Sequence, residues 1–188
     1  MRLRYSQVAP GGYQALVSLG KYLSQETALE VVLLQLVYVR ASQLNGCDYC
    51  IGMHTEELRK LGEPDNRIDA VTDWRGSDEF TPRERAALSW TEAVTDVNAS
   101  HVSDEDYAAA KEFFSDKDLV DLTFAIASVN AWNRMGVAFR AEWPTQPQTG
   151  GDGFAPFSAS EAEPPEMEAA EGEWDDEEMA DDEEAVDE

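Results

Sequence analysis

Two cysteines and one histidine are the residues of this sequence with the clearest potential for chemistry: Cys47, Cys50 and His54. If a helix begins at or just before Cys47, Cys50 lies one turn on and His54 one further turn on, so the three side chains share one face. The backbone N–H groups and the dipole at a helix N-terminus favour a thiolate. His54 could accept the proton that the sulfur loses, which is how nucleophilic cysteines are activated.

A cysteine pair at this spacing also suits reversible peroxide chemistry. One thiolate attacks the O–O bond of a hydroperoxide and becomes a sulfenic acid, and the second cysteine condenses with it to form a disulfide. An external thiol reductant then reopens the disulfide by exchange. These residues therefore predict a thiol peroxidase without a bound cofactor, with a hydroperoxide as substrate and a dithiol reductant protein as partner.

Other interpretations of the cysteine pair are weaker. Inert packing does not explain a histidine one turn beyond the second cysteine. A zinc site needs about four ligands, whereas the motif supplies three, and the only other histidine, His101, is expected on a surface loop. Haem attachment requires a histidine directly after the second cysteine, where this chain has Ile51. A thioredoxin fold would need strands around the motif, and the sequence predicts none there.

The elements that must position these residues are predicted to be helices. Apolar residues recur at helical spacing between positions 28 and 39, and a capping box at Thr81 and Glu84 has Pro82 at the first helical position. No stretch alternates with a period of two, so residues 1–145 are predicted to form an all-α bundle. The predicted helices cover residues 13–43 with a break near Ser24, and residues 47–61, 66–74, 82–97, 104–114 and 116–140.

The composition changes sharply toward the C-terminus. All 14 Lys and Arg residues lie at or before Arg140, whereas acidic residues continue to Glu188. A Pro- and Gly-rich linker follows Trp143, and the remainder has too little apolar surface to offset the entropy of ordering. Residues 146–188 are therefore predicted to be a disordered acidic tail, interpreted as a solubilising, self-repelling extension; the less favoured alternative is a docking peptide that recruits a partner through its scattered aromatic residues.

The charge and hydropathy of the chain exclude several function classes. A net charge of -25 at pH 7 argues against binding to nucleic acid, because a phosphate backbone is held by clustered cations. It disfavours anionic membrane surfaces for the same reason. No stretch is long and apolar enough to span a bilayer, and no signal peptide is recognisable, so a cytoplasmic location is expected.

The run of residues 40–55 resembles the core motif of the carboxymuconolactone decarboxylase superfamily, specifically its alkyl hydroperoxidase D (AhpD-like) branch. Residues 80–92 and 130–135 also resemble that branch. The resemblance implies an all-α fold assembled as a trimer or hexamer, and an alkyl hydroperoxidase activity of the peroxiredoxin type. It implies that Cys50 attacks the peroxide, that Cys47 resolves the intermediate and that His54 relays a proton. The decarboxylase branch generally lacks the cysteine pair.

The chain departs from the AhpD pattern in its proton relay. The family normally has a glutamate twelve residues before the first cysteine, where this chain has Gln35. Glutamine can hold His54 by a hydrogen bond but cannot take up a proton, and loss of a general base costs about 10²–10⁴-fold in rate. Alternatively, Gln35 is a polar residue with a structural role only. Tyr49 stands where some relatives have a histidine, which is a second, smaller departure.

Two functions of other classes remain open at this point. A non-catalytic oligomeric scaffold, whose acidic tail recruits a partner, is favoured by Gln35 and opposed by the retained cysteine pair. Decarboxylation of a lactone would require activity that survives loss of both cysteines. Two arginines and three tryptophans are candidates for lining a substrate entrance, and for the tryptophans core packing is the better explanation. The five residues are Arg40, Trp74, Trp90, Trp132 and Arg134.

Overall fold

The computed structural model of the chain describes residues 1–143. This part of the chain contains α-helices and one 3₁₀ helix and no strand, which confirms the all-α prediction. The helices are α1 (Tyr5–Val8), α2 (Pro10–Gln25), α3 (Val31–Asn45), α4 (Asp48–Lys60), α5 (Asp65–Ala70), the 3₁₀ helix (Val71–Gly76), α6 (Pro82–Thr95), α7 (Val97–Ser100), α8 (Asp104–Lys111) and α9 (Asp116–Phe139).

The predicted helices correspond to these elements, with differences at the ends and in the shortest pieces. The break expected near Ser24 falls after Gln25, where residues 26–30 separate α2 from α3. Helix α2 begins at Pro10 rather than at residue 13, because proline is pre-organised for the first turn of a helix. Helix α1 was not predicted, and residues 66–74 form parts of two elements rather than one helix. Such short elements have no room for an apolar period.

Side-chain caps start three of the helices where the sequence predicts them. Thr81 and Glu84 form the expected capping box at α6, and Ser103 and Asp106 form a second one at α8. At α9 the Ser115 side chain accepts a hydrogen bond from the third helical N–H group. Each cap satisfies backbone donors that the first turn of a helix leaves without a partner.

Helix α3 is the central element, because it packs against α4, α6 and α9. All seven residues from 33 to 39 are buried, which is typical of a helix surrounded on every side. A larger apolar cluster joins α3 to α2, α6, α8 and α9, and a smaller one joins it to α4, α5, the 3₁₀ helix and α6. The polar residue Gln35 lies within this buried stretch.

Within residues 1–143, no helix combines the length and the apolar character that crossing a membrane requires. The predicted tail at residues 146–188 lies outside the described residues.

Candidate functional site

The first cysteine is held by the turn between α3 and α4. Gly46 ends α3 with a φ of 64°, a left-handed conformation that glycine adopts without a clash of Cβ. This turn lets the N–H group of Cys47 donate to the carbonyl oxygen of Ser42 at 3.0 Å. Cys47 is then the N-cap of α4, so the prediction of a helix beginning just at the first cysteine is confirmed within one residue.

Cys47 and Cys50 are joined by a disulfide, with their Cα atoms 5.3 Å apart. The Sγ atom of Cys47 also accepts a hydrogen bond from the backbone N–H of Cys50 at 3.4 Å. The disulfide therefore lies in the first turn of α4, where the positive end of the helix dipole would stabilise a thiolate once the bond is reduced.

Helix α9 covers the disulfide at Gly136, a residue that the sequence analysis missed. A Cβ atom at this position would lie 2.7 Å from Sγ of Cys47 and 3.5 Å from Sγ of Cys50. Only glycine leaves room for the sulfur of Cys47 without displacing it. The available signal was an isolated glycine inside a long apolar helix, which often marks a close contact.

His54 lies one turn beyond Cys50 and is held from α3 by Gln35. Its Nδ1 atom is 2.8 Å from Oε1 of Gln35. An amide oxygen only accepts hydrogen bonds, so Nδ1–H donates, and Nε2 is the nitrogen that can accept a proton. Burial lowers the pKa of His54 from 6.5 to about 3, and the imidazole is therefore neutral near pH 7.

Tyr38 also contacts His54 and was missed by the sequence analysis. Its ring centroid lies 4.9 Å from that of the imidazole, at an interplanar angle of 42°. Tyr38 follows Gln35 by three residues on α3, so both side chains project from the same part of that helix. Together they restrict the imidazole from the α3 side. Burial raises the pKa of Tyr38, so its phenol is neutral near pH 7.

A hydrogen-bonded set of asparagines, two of them buried, ties the end of α3 to α9 beside the first cysteine. The Nδ2 group of Asn45 donates to Oδ1 of Asn130 and of Asn133, both at 2.9 Å. Asn133 in turn donates to Oγ of Ser42 at 2.9 Å. Asn130 and Asn133 lie in residues 130–135, which resemble the AhpD-like branch. The sequence of that segment does not show which side chains the two asparagines contact. The network keeps α9 in register over the disulfide.

The four predicted site residues thus lie in one region between α3 and α4. Cys47 and Cys50 form the disulfide, and Gln35 and His54 form a hydrogen-bonded pair on the same side of α4. The roles of these residues in a reaction stay predictions.

The residues considered for a substrate mouth have structural contacts instead. Arg40 forms an ion pair with Glu92, with Nη2 and Oε1 2.6 Å apart, and Trp74 donates to the same carboxylate at 2.9 Å. Arg134 donates to the carbonyl oxygen of Asn130 at 2.8 Å. The three tryptophans are buried, as expected for core residues: Trp74, Trp90 and Trp132.

In the part of the chain that the structure describes, no three His, Cys, Asp or Glu side chains are grouped so that they could hold a metal ion. His101 lies beyond α7, in a left-handed conformation with a φ of 52°.

Comparison with known proteins identifies the family of this chain. Residues 10–93 match the sequence profile of the carboxymuconolactone decarboxylase family. The chain is 36% identical over 137 residues to the uncharacterised protein YdfG of Bacillus subtilis strain 168, a match that covers 73% of this chain and 92% of YdfG. The chain belongs to the carboxymuconolactone decarboxylase family.

Comparison with solved structures defines the branch more closely. A protein of Agrobacterium tumefaciens, described as a candidate antioxidant defence protein AhpD, is 35% identical and superposes with a TM-score of 0.74. That match covers 77% of this chain and 99% of the other, which confirms the AhpD-like branch. The debrominase Bmp8 is 21% identical and superposes with a TM-score of 0.63. That match covers 72% of this chain and 73% of the Bmp8 chain. At that identity it shows a shared fold alone.

Proposed function

We propose that this AhpD-like protein is a thiol-dependent peroxidase and disulfide oxidoreductase. The observation that carries the proposal is the Cys47–Cys50 disulfide at the N-terminus of α4, with a buried histidine one turn further along the same helix. In the proposed reaction the two cysteines act as nucleophile and resolving thiol, and the histidine on the same helix acts as the nitrogen base. The activity is proposed here for this chain, and the similarity to AhpD-like proteins supports it.

In the oxidative half of the reaction, the thiolate of Cys50 attacks the distal oxygen of a hydroperoxide. The O–O bond breaks, an alkoxide leaves and takes up a proton as the alcohol, and Cys50 becomes a sulfenic acid. Cys47 then attacks the sulfenic sulfur, and one water leaves as the disulfide forms. A dithiol reductant returns two electrons and two protons by thiol–disulfide exchange. The peroxide is thus reduced to an alcohol and water at the expense of the dithiol.

Two opposing effects set the thiolate population of Cys50. Burial disfavours a charged sulfur, and Cys50 is only 1% exposed. The helix N-terminus favours it, by up to about 2 kcal/mol in a partly buried geometry. The dipole alone does not offset complete desolvation, so a proton acceptor near the cysteines matters.

His54 is the proposed proton acceptor, and its surroundings make it a weak one. With a pKa of about 3, the buried imidazole holds a proton only transiently near pH 7. Gln35 keeps the imidazole in the tautomer with a basic Nε2, but an amide cannot receive the Nδ1 proton. We therefore expect a slow peroxidase, limited by thiol deprotonation.

Peroxide consumption with dithiothreitol as reductant tests the proposal. The wild-type protein should consume an alkyl hydroperoxide, and Cys50→Ser should abolish the reaction. Cys47→Ser should still form a sulfenic acid at Cys50 in a single turnover, detected by mass spectrometry after trapping with dimedone. A wild-type rate equal to that of Cys50→Ser would contradict the proposal.

A non-catalytic assembly role is the second candidate, favoured by the missing carboxylate at Gln35. An open apolar groove of about 420 Å³ lies between α6, α8 and α9, and its residues Val120 and Phe124 are half exposed. Large apolar surface patches are typical of protein contacts. The trimeric or hexameric assembly stays a prediction, which the molar mass in solution would test. Recruitment of a partner by the acidic tail also stays a prediction.

A further inference from the structure

Residues 141–143, which follow the C-cap of α9, contact the helix that carries Cys50. Arg140 has a φ of 52° and ends α9 in the left-handed conformation. The N–H group of Ala141 then donates to the carbonyl oxygen of Gly136 at 2.9 Å, a bond typical of a chain that reverses at a helix end. Residues 141–143, named the strap here, therefore lie beside the part of α9 that covers the disulfide.

Trp143 anchors the strap on α4. A Cβ atom at Gly52 would lie 2.6 Å from Cγ of the Trp143 indole, so the ring rests directly on the backbone of the helix. Tyr49 meets the same indole edge-on, with ring centroids 5.6 Å apart. Gly52 and Tyr49 flank Cys50 in sequence, so the indole lies against the turn of α4 that contains this cysteine.

Ala141 is the part of the strap that packs against the residues around the disulfide. It packs against the apolar cluster that contains both cysteines, Tyr49 and Met53. The sulfur-bearing residues Cys47 and Cys50 are 2% and 1% exposed. Thiol–disulfide exchange requires a thiolate to contact one of the two sulfurs, so some part of the cover must move before reduction.

The strap is the part of the cover that is held least firmly. Helices α3 and α9 are joined through the core and through the hydrogen-bonded asparagines. Among residues 1–143, the contacts of the strap are one backbone hydrogen bond from Ala141, the packing of Ala141 on the cysteine cluster, the packing of a Trp143 indole that is 37% exposed, and an exposed ion pair between Glu142 and the N-terminus. Exposed ion pairs contribute little, and segments with few buried contacts open at the lowest free energy.

The geometry points to the strap as a gate: residues 141–143, anchored by Trp143 on Gly52, must open for a thiol reductant to reach the Cys47–Cys50 disulfide. This inference rests on the proposed function, because it concerns the reductive half of that reaction. When the strap is open, the reductant thiolate attacks one sulfur and releases the other cysteine as a thiolate. The second thiol of the reductant then resolves the mixed disulfide, and the protein has gained two electrons and two protons.

Reduction of the oxidised full-length protein by dithiothreitol tests the gate without any peroxide. Trp143→Ala removes the anchor, and Gly52→Ala displaces the indole with the added Cβ. Either change should speed reduction by about threefold to tenfold, the factor expected for loss of one aromatic contact. The double variant should be no faster than the faster single variant, because both changes break the same contact. The rate is read as free thiol against time.

Gly52→Ala separates gating from simple destabilisation. Alanine is a better helix former than glycine, so this variant favours α4 while it opens the strap. Gly12→Ala in α2 is the matched control, since its Cβ would meet no atom within 4 Å. Its reduction rate should equal that of the wild type.

Three outcomes would overturn the gate. They are an unchanged reduction rate in both variants, a rate that rises only together with a fall in the urea unfolding midpoint, and multiplicative effects in the double variant. Because no peroxide is used, a protein that lacks peroxidase activity but shows the expected rates would contradict the proposed function and leave the gate standing.

Discussion

The cysteine pair and the Gln35–His54 pair lie in the same region between α3 and α4 and differ in how complete they are. Cys47 and Cys50 have what reversible redox chemistry requires, because their sulfurs are already bonded at a helix N-terminus. The Gln35–His54 pair has the hydrogen-bond geometry of a proton relay. However, the Gln35 amide cannot take up the proton on Nδ1 of His54. In the proposed reaction, the redox-active cysteines and the proton relay are therefore separate groups, and we expect proton transfer to limit the rate.

Gln35→Glu should complete the proton relay, and it has the largest expected effect. A carboxylate at the position of the Gln35 amide would accept the Nδ1 proton and raise the pKa of His54. Turnover should rise by about 10²-fold, at the low end of what a general base contributes. The measurement is the rate of hydroperoxide consumption together with the pKa of the Cys50 thiol.

Gln43→Glu on the same helix is the control for that variant. It adds the same charge near Arg40 and should leave turnover unchanged. If Gln35→Glu changed neither the thiol pKa nor the rate, the role of Gln35 would be structural. The absence of a carboxylate at this position would then not limit proton transfer.

Acid should destabilise the protein through His54. The folded-state pKa of about 3 lies below the value of 6.5 that the group has without burial. Between these values the unfolded chain binds a proton that the folded chain excludes, so stability falls as the pH is lowered. From pH 7 to pH 5 this group should contribute a loss of about 2 kcal/mol in the free energy of unfolding.

Urea unfolding at the two pH values measures this effect. The loss should be smaller by that amount in His54→Gln, and it should persist in His101→Gln, which changes a histidine outside the site. Equal pH dependence in wild type and His54→Gln would show that the imidazole is not held neutral by burial.

Gly136→Ala should act on the cysteine pair alone and has the smallest expected effect. The added Cβ would crowd Sγ of Cys47 at 2.7 Å and disfavour the bonded position of the sulfur. The reduction potential should become less negative by roughly 30 mV, which corresponds to about tenfold in the equilibrium constant. The measurement is equilibration with glutathione buffers, and the acid dependence of stability should not change. A potential equal to that of wild type would show that α9 adapts to the methyl group.

Much of the fold followed from local sequence signals. The capping box at Thr81 was predicted because it depends only on neighbouring residues. The capping box at Ser103 and the helix end at Gly46 are local features of the same kind. Helix α1 and the 3₁₀ helix could not be predicted, because elements of four to six residues form through tertiary contacts rather than through their own periodicity.

The candidate site also combines residues that local sequence reveals with residues that only tertiary contacts bring together. The cysteines and His54 were recognisable because they lie within one helix, where spacing alone predicts a shared face. Tyr38, Gly136 and Trp143 were not recognised as parts of the site, since each reaches it from another segment of the chain.

By itself, the sequence determined which chemistry is available: two thiols and an imidazole at helical spacing, in a region predicted to be all-α. Helical geometry is local, so residue types and spacing are sufficient for that. Only the tertiary structure decided the state of those groups. It set Gln35 against His54 across 19 residues, placed a glycine of α9 on the sulfurs and laid Trp143 across α4. Burial and close approach are properties of packed segments, and packing depends on contacts that no single stretch of sequence contains.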